Sequence, residues 1–284
     1  MIAARALYDV PAPAKLNLFL HVLGRREDGM HLLQSAFMLV DWCDTLNFER
    51  RDDGSISRED LGAPLPEDDL TVRAARALQA ATGTKLGAHI GIDKRIPTEA
   101  GMGGGSSDAA STLLALNRLW GTGLGRSQLA AIGVELGADV PFFLGGRNAW
   151  VEGIGEKLTP VALPAARFAV ARPSEGVSTA KIFGDPALKR NSPAAIISGF
   201  AANPFAFGGN DLQPVAQRLC PAVNGALQWL GAQGLQARMT GSGSAVFALL
   251  PPGRTLAQPL EGWQARECSN MEVHPLAGWA TSDD

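Results

Sequence analysis

Long hydrophobic runs are missing from this chain: no apolar stretch approaches the length needed to span a bilayer. Cysteine is scarce. The three present, Cys43, Cys220 and Cys268, are far apart and odd in number, and no CxxC occurs. That pattern excludes a disulfide framework and a zinc knuckle. The four histidines, His21, His31, His89 and His274, show no HExxH spacing, which argues against a metal cage built from protein ligands. Positive charge is not in excess either. A formal net charge of −3 is unlike the basic surface of a nucleic-acid binder. The N-terminal stretch carries Arg5, but its apolar run is too short for a signal peptide. Internal repeats and low-complexity segments are absent. The expectation is a soluble, cytoplasmic protein with no membrane and no nucleic-acid partner.

What is present points to a folded enzyme-sized chain. The 284 residues, 46% hydrophobic and 19% charged, suffice for one large domain or two medium ones. In "KLNLFLHV", Leu16, Leu18, Leu20 and Val22 alternate with Lys15, Asn17, Phe19 and His21, which predicts a half-buried strand. On such a strand Lys15 and Asn17 lie roughly 6.5–7 Å apart on one face. Asp28-Gly29 signals a turn. Residues 50–69 read as polar, turn-rich surface. A helix is predicted over 69–82, stopped by Gly83, and a strand at Ala88, Ile90 and Ile92. Beyond the glycines, Ala109, Leu113, Leu116 and Trp120 fall at helical spacing, and a shorter helix ends at Gly137.

Near residue 155 a Gly- and Pro-rich texture marks a domain seam. After it come a strand at 167–172, helices over 211–230 broken at Pro221, a strand–turn–strand ending near 251, and a last strand within 263–273. Mixed strands and helices in both halves predict an α+β architecture in two lobes, residues 1–157 and 158–284.

The stretch "AGMGGGSSDAA", residues 100–110, concentrates glycine between a strand and a helix. Helix N-termini offer unpaired N–H groups and the positive end of the macrodipole. Without Cβ atoms, a glycine loop there can wrap phosphate oxygens. Ser106 and Ser107 can cap the helix or donate to phosphate. No GK[ST] follows, and Ser106 stands where a dinucleotide fingerprint needs glycine, so neither motif applies. A flexible turn with an ordinary serine cap remains open. Asp139, two residues before Pro141, reads either as a helix cap or as a general base at an element boundary. "TGSGSAVF", residues 240–247, is a hairpin turn or a second anion nest. Asn210 and Asp211 read as a cap. Phe183 is core or a stacking ring.

Taken together, "PAKLNLFLHVLGRREDGMH", "GGGSSDAA", "LGADVPFF" and "MTGSGSAVFAL" resemble the GHMP kinase superfamily, named for galactokinase and the homoserine, mevalonate and phosphomevalonate kinases. The resemblance runs from about Pro13 to about Pro275. It is nearest the branch whose alcohol is 4-diphosphocytidyl-2-C-methyl-D-erythritol. It implies a ribosomal-protein-S5-like N-terminal lobe, a ferredoxin-like C-terminal lobe and a cleft between them. It implies a small-molecule kinase that moves the γ-phosphoryl of ATP, with Mg²⁺ held mainly by the nucleotide phosphates and no protein metal site. Lys15 and Asp139 would be the catalytic pair. Gly101, Gly103, Gly104, Gly105, Ser106 and Ser107 would hold ATP. Asn17, His31, Thr179, Phe183, Gly241, Ser242 and Gly243 would bind the alcohol, with His31 and Phe183 on the cytidine.

Two positions depart from the family pattern. Met30 stands where DGYH places tyrosine, and Asp69 where EDNL places asparagine. A monomer and a homodimer both fit. The competing readings are another GHMP kinase with a different alcohol, or a non-catalytic nucleotide sensor.

Overall fold

The computed structural model describes residues 4–281. Its first strand, β1 (Ala6–Arg25), folds back through the Asp28-Gly29 turn onto β2 (His31–Arg51). The turn is closed by Asp28 Oδ1, which accepts the Met30 N–H at 3.0 Å. An edge strand, β3 (Ile56–Asp60), precedes α1 (Leu70–Thr82) and β4 (Gly87–Asp93). The helix over 70–82 ends at Gly83 as its sequence predicts. Next come α2 (Gly104–Trp120), α3 (Arg126–Leu136), α4 (Val140–Gly145) and a hairpin of β5 (Ala149–Gly153) and β6 (Lys157–Pro160). The second half holds β7 (Arg167–Arg172), α5 (Thr179–Gly184), α6 (Ile197–Ala202), α7 (Gln213–Leu219) and α8 (Pro221–Ala232). Then follow β8 (Arg238–Met239), β9 (Val246–Leu250) and β10 (Gln264–Met271). Pro221 opens α8, where its missing N–H costs no helical bond.

The architecture is α+β. One sheet runs β3-β4-β2-β10-β7-β9-β8, with β1 and β5 also paired to β2. Among the named pairs only β3 and β4 are parallel. The two halves share the sheet through β10, whose Asn270 and Met271 sit opposite Val40 and Leu39. After β10 the chain returns to the first half. Val273 bridges to Arg147, and Leu276 and Ala280 join the core built by residues 10–151.

Two elements differ from their sequence reading. β1 is buried on both faces rather than half-buried. Leu16 and Phe19 are both fully covered, because a middle core of Trp150, Phe168, Phe200 and Phe247 packs where solvent was expected. The polar stretch before residue 61 contains β3, held at the sheet edge by parallel pairing to β4, while Arg58 pairs within the strand with Asp60 and beyond it with Asp69.

α2 shows the helical spacing expected of Ala109, Leu113, Leu116 and Trp120, but Ser107, Asp108, Ser111, Thr112 and Asn117 are buried as well. A helix covered on all sides carries little amphipathic signal. Each fully buried leucine contributes about 1.5–3 kcal/mol, and this central helix is what holds the glycine stretch in place. Among the described residues no helix is long and apolar enough to cross a membrane.

Candidate active site

The glycine stretch lies at the meeting point of two cavities. One, about 600 Å³, is lined by Lys15, Asn17, His31, Asp139 and Phe183 among others. The other, about 690 Å³, lies over the start of α2 and includes Lys94, Gly104 and Gly105. Gly101, Gly103, Ser106, Thr179 and Ser242 line both.

β1 brings Lys15 and Asn17 to the wall of the first cavity. The Lys15 N–H donates to Met102 O at 2.9 Å and ties the strand to the glycine stretch. Lys15 is 4% exposed. Its ammonium donates to Asn17 Oδ1 at 2.5 Å, lies 3.3 Å from Asp139 Oδ2, and sits 4.6 Å from the Phe37 ring centroid. Asp139 occupies the N-cap of α4, yet its side chain makes no capping bond. The carboxylate is therefore free of the ordinary structural duty of a cap and faces Lys15 instead.

Asn17 is fixed on all sides. Its N–H donates to Thr240 Oγ1 at 2.9 Å and its Nδ2 to Ser35 Oγ at 3.0 Å. Ser35 in turn donates to Phe19 O. With Nδ2 held by Ser35, Oδ1 is the end of the amide that meets Lys15.

The two glycine loops interlock. Gly101 has φ +69°, and a Cβ there would stand 2.3 Å from Thr240 O. A Cβ on Gly241 would stand 2.7 Å from Gly101 O. The Ser244 and Ala245 N–H groups donate to Glu99 O and Ala100 O across the gap. Asn210, expected as a simple cap, braces this junction: its Nδ2 donates to both Met239 O and Gly241 O at 2.8 Å. Asp211 accepts from Val22 N and Ser192 Oγ.

Two expected residues take other places. Ser107 lines neither cavity. Its N–H is spent on Gly103 O, and its buried hydroxyl has no partner, because the next helical step turns it inward from Ser106. Gly243 lines the cavity over α2 rather than the one holding Lys15. Thr179 and Ser242 link their hydroxyls at 2.6 Å across the junction.

At the far end, His31 rests on Phe183, with centroids 4.9 Å apart. Burial, then the charges of Arg190 and Arg25, lower the His31 pKa and so favour the neutral ring. Met30 is 48% exposed at the cavity wall. Asp69 caps α1 through the Val72 N–H and pairs with Arg58 at 2.7 Å, so its charge is compensated.

Sequence reasoning missed a buried ion cluster beneath the second cavity. Lys94 Nζ donates to Asp108 Oδ2 at 2.7 Å and to Asp44 Oδ2. Asp44 also accepts the Arg95 and Ile96 N–H groups. Burial pushes the Asp108 pKa well up. Burial also acts against the Lys94 ammonium, but the two carboxylates outweigh it and raise its pKa. The only signal in the sequence was Lys94 between a strand and the glycines.

Residues 69–147 match the GHMP kinases N terminal domain and residues 186–266 the GHMP kinases C terminal model. The chain is 66% identical to a 4-diphosphocytidyl-2-C-methyl-D-erythritol kinase of Variovorax paradoxus, over 98% of this chain and 100% of that protein. It is 64% identical to the kinase of the same name from Paracidovorax citrulli, over 99% and 100%. A crystal structure of 4-(cytidine 5'-diphospho)-2C-methyl-D-erythritol kinase superposes with a TM-score of 0.80 at 36% identity, covering 92% of this chain and 98% of that one. Homoserine kinase from Cytophaga hutchinsonii shares the fold, with a TM-score of 0.69 at 16% identity over 96% and 97% of the two chains. The chain belongs to the GHMP kinases and, within them, to the 4-diphosphocytidyl-2-C-methyl-D-erythritol kinase family.

Proposed function

We propose that this protein transfers the γ-phosphoryl group of ATP to the 2-hydroxyl of 4-diphosphocytidyl-2-C-methyl-D-erythritol, giving the 2-phosphate of the non-mevalonate route to isoprenoids. The observation that carries the reading is the Lys15–Asp139 contact of 3.3 Å in the wall of the first cavity, beside Gly103, which lines both. One cavity suits the alcohol and the other the nucleotide.

Phosphoryl transfer asks little covalent chemistry of a protein; positioning and electrostatics carry it. Asp139 accepts a hydrogen bond from the 2-hydroxyl, orients it for in-line attack and takes its proton as the new O–P bond forms. The Lys15 ammonium offsets the negative charge on the transferring group. Asn17 holds that ammonium in line through Oδ1. Gly103, Gly104 and Gly105 bring the N-terminus of α2 to the nucleotide phosphates, with Ser106 beside them. Gly101, Gly241, Ser242 and Thr179 form the collar between donor and acceptor.

No cluster of three or more His, Cys, Asp or Glu side chains fit to hold a metal occurs among the described residues, while Ser106 faces both cavities. That sparse donor set fits Mg²⁺ carried in on the nucleotide, since this ion keeps phosphate and water ligands. When bound it neutralises phosphate charge. The free cysteines fit a reducing, cytoplasmic setting.

The test is ADP release by purified protein with Mg-ATP and the cytidylyl alcohol, with galactose, homoserine and mevalonate in parallel. Turnover is expected with the cytidylyl alcohol alone. Asp139→Asn and Lys15→Ala should each lower kcat by about 10²-fold or more. Near-normal turnover in either variant would remove that residue from the catalytic pair.

A further inference from the structure

Arg190 lies in the segment after α5, in a stretch without periodic signal. Its guanidinium donates to four acceptors. Nη1 reaches Leu188 O at 3.1 Å, and Nη2 reaches Phe183 O at 2.8 Å and Asp185 O at 2.9 Å. These bonds close the turn over 183–190 and immobilise the planar fork. The remaining direction, Nε, points at His31 Nε2 at 3.0 Å, a contact between residues 159 positions apart.

A guanidinium only donates, and it does not lose its proton in proteins. His31 Nε2 must therefore present its lone pair. In a neutral imidazole the single proton then sits on the other nitrogen. Among the described residues Nδ1 has no partner, and His31 lines the cavity assigned to the alcohol. The same guanidinium holds the carbonyl of Phe183, whose ring packs on His31. One residue thus fixes both the proton and the ring beside it.

We propose that Arg190 is a positioning residue that sets base specificity: by occupying His31 Nε2 it makes Nδ1 a permanent donor, matched to cytosine, whose N3 accepts, and mismatched to uracil, whose N3 carries hydrogen. The proposal rests on the cytidylyl-alcohol reading above. Donor facing donor leaves two polar groups unpaired, a mismatch that sites built on hydrogen bonds reject strongly. Without Arg190, His31 is free to place its proton on either nitrogen and accepts from uracil as readily as it donates to cytosine.

The experiment has two parts. Nitrogen-15 NMR of histidine-labelled protein, with the His31 resonances assigned by their loss in His31→Asn, reads the tautomer directly. A proton on Nδ1 is expected; a proton on Nε2 overturns the proposal, whatever the variants do. Steady-state kinetics then compares the cytidylyl alcohol with its uridylyl counterpart. In Arg190→Met the preference for cytidylyl, as a ratio of kcat/KM values, should fall about tenfold or more, mainly through a higher KM for the cytidylyl alcohol. Arg190→Lys, which keeps a donor, should retain more of the preference. A folded Arg190→Met with an undiminished preference overturns the proposal. Should that variant fail to fold, the wild-type tautomer decides alone. Wild-type protein that does not turn over the cytidylyl alcohol would instead sink the function, an outcome separate from the position of the His31 proton.

Discussion

The side-chain amide of Asn210 is bonded to the carbonyl of Gly241, 31 residues away, at 2.8 Å, and the same nitrogen reaches Met239 O. Its Oδ1 accepts the Leu212 N–H. One buried residue therefore locks the second glycine loop to the start of α7. Asn210→Ala leaves two carbonyls without their donor, a cost of about 1–3 kcal/mol. It should also lower kcat/KM, because Gly241 lines the cavity proposed for the alcohol. Denaturant unfolding and ADP release read the two effects; an active, equally stable variant would show that the loop holds itself.

The interlocked glycines make a contrast within one motif. Gly101→Ala meets Thr240 O at 2.3 Å in a backbone conformation that alanine disfavours, and should cost about 2 kcal/mol or more. Gly105→Ala has its nearest neighbour at 3.4 Å inside a regular helix and should change stability by no more than about 1 kcal/mol, in the stabilising direction. Thermal unfolding of the pair checks the difference.

Lys94 is the only cation bonded to Asp44 and Asp108 among the described residues. Lys94→Met leaves both carboxyl groups without a cation, Asp44 keeping only its backbone N–H donors, and should destabilise by about 3–5 kcal/mol. Adding Asp108→Asn should recover part of that loss. An additive double variant in urea unfolding would mean the two side chains do not interact.

His274 gives a signed pH effect. It is 2% exposed, its Nδ1 accepts the Leu276 N–H at 3.1 Å, and burial lowers its pKa to about 4. An unfolded histidine titrates near 6.5. Between these values the unfolded chain binds a proton that the fold refuses. Stability is thus whole above about pH 6.5 and falls as pH drops toward about 4, by on the order of 3 kcal/mol. His274→Asn keeps an acceptor for Leu276 and should flatten this slope in melts taken between the two pH values.

Met30 stands exposed at the cavity wall. Met30→Tyr should bind the cytidylyl alcohol with an equal or lower KM, as a flat ring replaces a thioether. A markedly higher KM would mean the site is shaped around methionine.

Much of the candidate site's geometry was legible because its residues sit where local rules apply. Lys15 and Asn17 share a face by strand periodicity, and the glycines precede a helix whose spacing is plain. The burial of Phe19 was not legible, since the rings that cover it, Trp150, Phe200 and Phe207, lie far along the chain. β3 was missed because its pairing is non-local and its residues are mostly polar. Arg190 carries no pattern at all; only its contact with His31 gives it meaning. Asn210 looked like a cap, and it does receive the Leu212 N–H. What no local rule could show was its other end.

The return of the chain after β10 sets an order in time. Leu276 and Ala280 belong to the core formed by residues 10–151, and the Asn17 N–H waits for Thr240, 223 positions later. During synthesis the first half must therefore remain incompletely closed while nearly all of the second half is made. Such long-range closure slows folding and leaves apolar surface uncovered in the meantime. The nascent first half is the stage at which a chaperone has most to protect, and the Lys15–Asn17–Thr240 junction cannot form until Thr240 has been made.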